Sequence, residues 1–141
     1  MQPTSNSFFN ILIFFSLQNA STLKYSDCME ILPRVVDSIP VLDIIGEVDL
    51  YNAKELKEAI DEIVKNQHYE IVINLEKVPF MDSSGIGTLV TSMYKLKKYH
   101  GNLKVSGISG SVAKVFKLTG MESHLEVFSS VQEAVASFKQ T

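Results

Sequence analysis

The run Ile71-Val72-Ile73-Asn74-Leu75 is almost continuously apolar and largely β-branched. A strand of that composition leaves no side for water, so it belongs at the centre of a sheet covered on both faces, the usual setting of parallel pairing. Its surroundings meet that demand. Residues Glu30 to Val36 and Pro40 to Ile45 read as two strands closed by an Asp37-Ser38 turn, an opening hairpin. Asn52, with Glu55 three residues on, reads as a capping pair ahead of Ala53, Leu56, Ile60, Ile63 and Val64 at helical spacing. After the central run, Ile86, Leu89, Val90, Met93 and Leu96 form a second helical stripe that runs to Tyr99. Lysines lie in its last turns and Gly101 stands as its left-handed stop. Leu103 to Ile108 reads as a strand, Ser111 to Thr119 as a short helix stopped by Gly120, and Leu125 to Phe128 as a last strand. Ser130 and Glu133 repeat the capping pattern before Val131, Ala134, Val135 and Phe138.

The order ββαβαβαβα predicts an α/β fold: a mixed sheet, largely parallel after the hairpin, packed by about four helices through right-handed crossovers. A chain of 141 residues is one domain on length grounds. The patterned region begins at Met29, so the domain is expected over residues 29–141. Thirteen basic and 16 acidic residues give a net charge of -3, all of it carried after Cys28. That balance argues against a nucleic-acid binder, whose affinity rests on a basic surface. One cysteine, Cys28, excludes an intramolecular disulfide and any cysteine-cluster metal site.

Residues 1–28 are compositionally different, holding four of the eight phenylalanines and only Lys24 and Asp27 as charges. Their apolar run Phe8 to Leu17 is about ten residues, half of what a membrane-crossing helix needs. A secretory signal fits the length, but MQPTSNS carries no positive charge and Gln18 stands where a small residue is wanted before Ala20. The remaining readings are an upstream extension to a protein that starts at Met29, or a poorly ordered tail.

The usual catalytic patterns are absent. His68, His100 and His124 lie apart at helix ends or loops and read as surface residues, without the one-turn spacing of a metal pair. No Gly-Lys-Ser/Thr follows a glycine as in a P-loop. Ser84 has Asp82 before it and Ile86 after it, so the glycine-flanked nucleophile elbow is missing. Neither a metal nor a cofactor is expected.

The segment MDSSGIG remains. It places a carboxylate, two hydroxyls and two glycines at the start of a helix, where unpaired N–H groups and the positive end of the dipole collect. A phosphoryl group on a serine there is electrostatically tolerated, and glycine lets a partner or anion approach the backbone. The plainer reading is that Asp82 or Ser83 caps the helix and the glycines serve turn geometry.

Four blocks in order, GEVDLYNAKELKEAI, IVINLEKVPFMDSSGIGTLV, LKVSGISGSVAKVFKLTGM and VFSSVQEAV, resemble the STAS family, specifically the bacterial anti-sigma factor antagonists. The resemblance spans Val41 to Phe138. It implies a STAS-type fold and a cytoplasmic, non-enzymatic regulator, monomeric or weakly dimeric. Such a regulator binds an anti-sigma factor and so releases a sigma factor. The anti-sigma factor in such systems is often a histidine-kinase-like serine kinase, and a PP2C-type phosphatase reverses its action. On this likeness Ser84 is the phosphoacceptor, with Asp82, Ser83, Gly85, Ile86 and Asp49 shaping the site or meeting the partner. Two other readings stand beside it: a STAS scaffold subunit of a larger signalling or transport assembly, and an enzyme or small-ligand sensor using the helix N-terminus as an anion site.

Overall fold

The computed structural model describes residues 24–26 and 29–139. Six strands form one sheet in the order β1-β2-β3-β4-β5-β6: β1 Lys24–Ser26, β2 Met29–Val36, β3 Ile39–Gly46, β4 Glu70–Lys77, β5 Asn102–Ser106 and β6 Glu126–Phe128. The first two junctions are antiparallel and the remaining three parallel, which is the mixed sheet expected from the element order. The helices are α1 Ala53–Lys65, α2 Ser83–Lys97, α3 Gly110–Thr119 and α4 Val131–Phe138, with a short 3-10 turn at Met121–Ser123. The edge strand β1 falls inside the leader that composition sets apart. The signal, extension and tail readings of the rest of residues 1–28 lie outside the described residues.

Each strand neighbours its predecessor, so right-handed crossovers carry α1, α2 and α3 to the same side of the sheet. The main core lies there. Ile71, Ile73 and Leu75 of β4 meet Leu56, Ile60 and Ile63 of α1, Leu89, Met93 and Leu96 of α2, and Val112 and Phe116 of α3. Each fully buried side chain of this size contributes about 1.5–3 kcal/mol. The opposite face holds a smaller cluster, Ile39, Val41 and Val72 under Val131, Ala134 and Val135 of α4. The central strand is therefore buried on both sides, but unequally.

Local chemistry explains most element ends. Asp37 and Ser38 both take positive φ (51° and 70°), the backbone of a two-residue hairpin turn. Gly120 ends α3 at φ 72°. Ser130 Oγ accepts from the Glu133 N–H at 3.1 Å, while Glu133 returns to Ser129 rather than to Ser130 itself.

Three local expectations change. Gly101 is not the left-handed residue after α2; His100 is, at φ 66°. Glycine is required at 101 because a Cβ there would overlap the Tyr69 carbonyl and lie 2.6 Å from Tyr69 Cβ, where Asn102 N–H donates to Tyr69 O. Asn52 makes no side-chain cap on α1 and is instead buried beneath the preceding loop. His68 is buried, not exposed: Gln67 turns through φ 67°, and the His68 N–H returns to Ile63 O.

Gly101→Ala is expected to lower stability by roughly 2–3 kcal/mol, the scale of overpacking a tight site, read from the denaturation midpoint. Burial holds the His68 imidazole below its ordinary value of 6.5. A base kept neutral binds fewer protons folded than unfolded, so its contribution to stability is full above about 6.5 and declines as the pH falls toward the folded value. Urea midpoints at pH 7.5 and 5.5 should therefore fall further on acidification for the wild-type protein than for His68→Gln.

Candidate functional site

Beyond the sheet, β3 and β4 stay together for one more step. Val48 and Met81 form an isolated parallel bridge, with Val48 N–H donating to Phe80 O at 3.0 Å and Asp82 N–H donating to Val48 O at 3.1 Å. Both bridge side chains are completely buried. The bridge brings the GEVDLYN loop and the MDSSG loop side by side.

Asp82 then starts α2. Its backbone is extended, and its Oδ1 accepts from the N–H groups of Ser84 at 2.9 Å and Gly85 at 3.3 Å. Between the two capping candidates Asp82 is the cap, and Ser83 is the first helical residue. The other oxygen, Oδ2, accepts from the Leu50 N–H at 3.1 Å, 32 residues away in the chain. One carboxylate therefore serves three donors on two loops.

Ser83 is exposed and Ser84 half-buried. Among the described residues neither hydroxyl takes a hydrogen bond, although the Ser84 carbonyl accepts one from Thr88. Gly85 and Ile86 face inward. A Cβ on Gly85 would come within 2.8 Å of both Met81 Cγ and Val48 Cγ1, so the first turn of α2 rests on the bridge only because position 85 has no side chain. Gly87 differs: it is exposed, and a Cβ there would meet nothing within 4 Å. Packing demands the first glycine and leaves the second free.

Asp49 turns its carboxylate into its own loop, accepting from the N–H groups of Tyr51 at 2.9 Å and Asn52 at 3.1 Å. Asn52 braces the loop from below. Its Oδ1 accepts from Asp49 N–H at 2.9 Å and its Nδ2 donates to Glu47 O at 3.0 Å. The tip so held displays Leu50 and Tyr51, 67% and 83% exposed, with Phe80 at 42% beside the serines. Met81 and Ile86, apolar neighbours in sequence, belong to the core. Leu50 and Tyr51 escape the pattern reading, yet they carry a signal: two large apolar residues stand before α1 with no place on its buried stripe.

Among the described residues no histidine hydrogen-bonds to either serine. His124 Nδ1 lies 2.9 Å from the Tyr94 hydroxyl, and His68 is buried beside the opposite, N-terminal end of β4. The arrangement is a capped helix start that carries one exposed and one half-buried serine, beside a loop tip with two exposed apolar side chains.

A mixed sheet with an antiparallel opening hairpin, parallel strands thereafter and four packed helices matches the STAS fold. The STAS domain family model matches residues 30–134, and the chain belongs to that family. It is 30% identical over 99 residues to an anti-sigma-B factor antagonist from Listeria monocytogenes, covering 70% of this chain and 86% of that protein. An anti-sigma-B factor antagonist from Staphylococcus aureus is 32% identical over 82 residues, covering 58% and 76%. The crystal structure of an anti-sigma factor antagonist from Mycobacterium paratuberculosis superposes with a TM-score of 0.74 at 25% identity, over 81% of this chain and 97% of the other.

Asp82→Ala removes the acceptor for three N–H groups and is expected to cost about 1–2 kcal/mol, the upper range for an N-cap. Chemical denaturation measures it, and Ser83→Ala, which removes no hydrogen bond, serves as the neutral comparison.

Proposed function

We propose that this protein is an anti-sigma factor antagonist, a binding protein and not an enzyme, switched off by phosphorylation of Ser84. The observation that carries the reading is the Ser84 hydroxyl at the start of α2, without a hydrogen-bond partner among the described residues, on a helix start tied through Asp82 to the loop that exposes Leu50 and Tyr51. Aromatic and large aliphatic side chains around a small polar centre are the composition of an interface core. The names of the relatives supply the partner class. In this reading the anti-sigma factor docks over the serines and gives up its sigma factor.

The same partner is a histidine-kinase-like serine kinase. It moves the γ-phosphoryl group of ATP to Ser84 Oγ, so that the O–P bond to Ser84 forms as the bond to ADP breaks and the hydroxyl proton is released. A PP2C-type phosphatase hydrolyses the ester and returns the serine. The modification adds about 1.5–2 negative charges at an interface fitted to a neutral group. Repulsion and bulk then act together, on the several-kcal/mol scale of misplaced like charges. Gly87, bare on the outer face of the helix, lets the partner approach the backbone closely. Asp82, Gly85, Ile86 and Asp49 shape the site, and the exposed Ser83 lies at the contact. The protein acts in the cytoplasm as a monomer or weak dimer. Among the described residues no helix is long and apolar enough to cross a membrane.

The test is binding of Ser84→Ala and Ser84→Asp to the anti-sigma factor of the same cell. Ser84→Ala should bind like the unmodified protein, and Ser84→Asp at least tenfold more weakly, about 1.4 kcal/mol. Equal affinities would overturn the reading in favour of a constitutive scaffold subunit.

A further inference from the structure

We infer that Asp82 is a latch between the two loops: a phosphoryl group on Ser84 displaces the Asp82 carboxylate from the start of α2, and its departure frees Leu50 at the tip of the neighbouring loop. The inference rests on Ser84 as the acceptor and adds a change of surface shape to the change of charge.

Three observations carry it. Both Asp82 oxygens are engaged, one with Ser84 and Gly85 and the other with Leu50. The two oxygens belong to one carboxyl group, so a swing that takes Oδ1 off the first pair also shifts Oδ2 relative to the Leu50 N–H. Leu50 is 67% exposed, so little packing holds it when its N–H loses its acceptor. The residues on either side are anchored without the Asp82 side chain. Val48 is held through the bridge and Asn52 through Glu47 and Asp49. Tyr51 N–H likewise keeps its bond to Asp49 Oδ1, so the release is confined to Leu50.

The competition has a clear direction. A phosphoserine at the start of a helix seeks the free N–H groups of that first turn, and charge-assisted hydrogen bonds from them favour the more highly charged group. Here two of those N–H groups, of Ser84 and Gly85, are already taken by the Asp82 carboxylate, and the two anions repel each other within one turn. A serine phosphate therefore cannot be added at this position as a passive charge.

The experiment is amide NMR of the full chain in three forms: unmodified, with phosphoserine genetically encoded at position 84, and Asp82→Asn. In the phosphorylated chain the Leu50 amide should lose its hydrogen-bonded downfield shift and exchange with water at least tenfold faster, while the Val48 and Asn52 amides keep their positions. Asparagine caps a helix well but has a single acceptor oxygen. In Asp82→Asn, either Leu50 or the Ser84-Gly85 pair must therefore lose its shift, with no phosphate present. Leu50 moving no more than Val48 and Asn52 on phosphorylation would overturn the latch, as would wild-type shifts at all three donors in Asp82→Asn. No partner is needed, so the result is separate from the binding test. An immobile Leu50 with weakened partner binding removes the latch alone, whereas a freed Leu50 with unchanged binding removes the functional reading.

Discussion

The parallel pairing of β3 with β4 is the interaction on which the rest of the molecule depends. It joins the opening hairpin to the central strand, and its register runs from Val41 opposite Val72 to Ile45 opposite Lys77, with an irregularity after Asp43. Past Ile45 and Lys77 the two strands end, but the chains meet again at Val48 and Met81. Everything at the site hangs from that second meeting. It aligns the loop of Leu50 and Tyr51 with the start of α2, seats Gly85 on two buried side chains, and leaves Asp82 within reach of both loops. The functional surface is thus an extension of the sheet, built on rigid elements.

Sequential strand order has a cost on the other side. Three crossover helices cover one face, so the far face depends on α4, only eight residues long and too short to be stable as an isolated helix. Its own apolar contacts are supplemented by Lys104, which is almost buried and whose ammonium donates to Ser137 Oγ at 2.7 Å. The same group lies 4.2 Å from the centroid of the Phe138 ring and 3.5 Å from Glu126. A lysine stem fills apolar space while its charge finds an aromatic face and a carboxylate. Where α4 no longer reaches, the sheet face turns polar. Asp43, Asn74 and Ser106 follow one another across three strands, and the first is paired with Arg34.

Much of this was legible without coordinates because it depends on short-range chemistry. Strand and helix identity follow from periodicity, and the ends at Asp37-Ser38, Gly120 and Ser130 follow from turn and cap preferences that act within a few residues. The misreadings share a cause. Asn52 has the composition of a cap, yet its side chain is used by Glu47 and Asp49, because the bridge at Val48 folds the loop over it. Gly101 has the position of a helix stop, yet it is required by the Tyr69 carbonyl on the neighbouring strand's approach. His68 has the polarity of a surface residue, yet Gln67 turns it inward. In each case a partner distant in sequence, or a backbone reversal, overrode a preference worth about 1 kcal/mol.

Sequence by itself determined the order of the elements, the central place of β4, and the chemical identity of the site: a carboxylate, two serines and two glycines where a helix begins. Those are properties of neighbouring residues, and periodicity and helix-end electrostatics are enough to establish them. Only the tertiary structure decided how the site residues divide their work. It made Gly85 a packing necessity and left Gly87 open, sent Asp49 into its own loop, and joined Asp82 to Leu50 across 32 residues. The reason is geometric: which donors a carboxylate can reach depends on which strands lie side by side, and that is settled by the whole sheet.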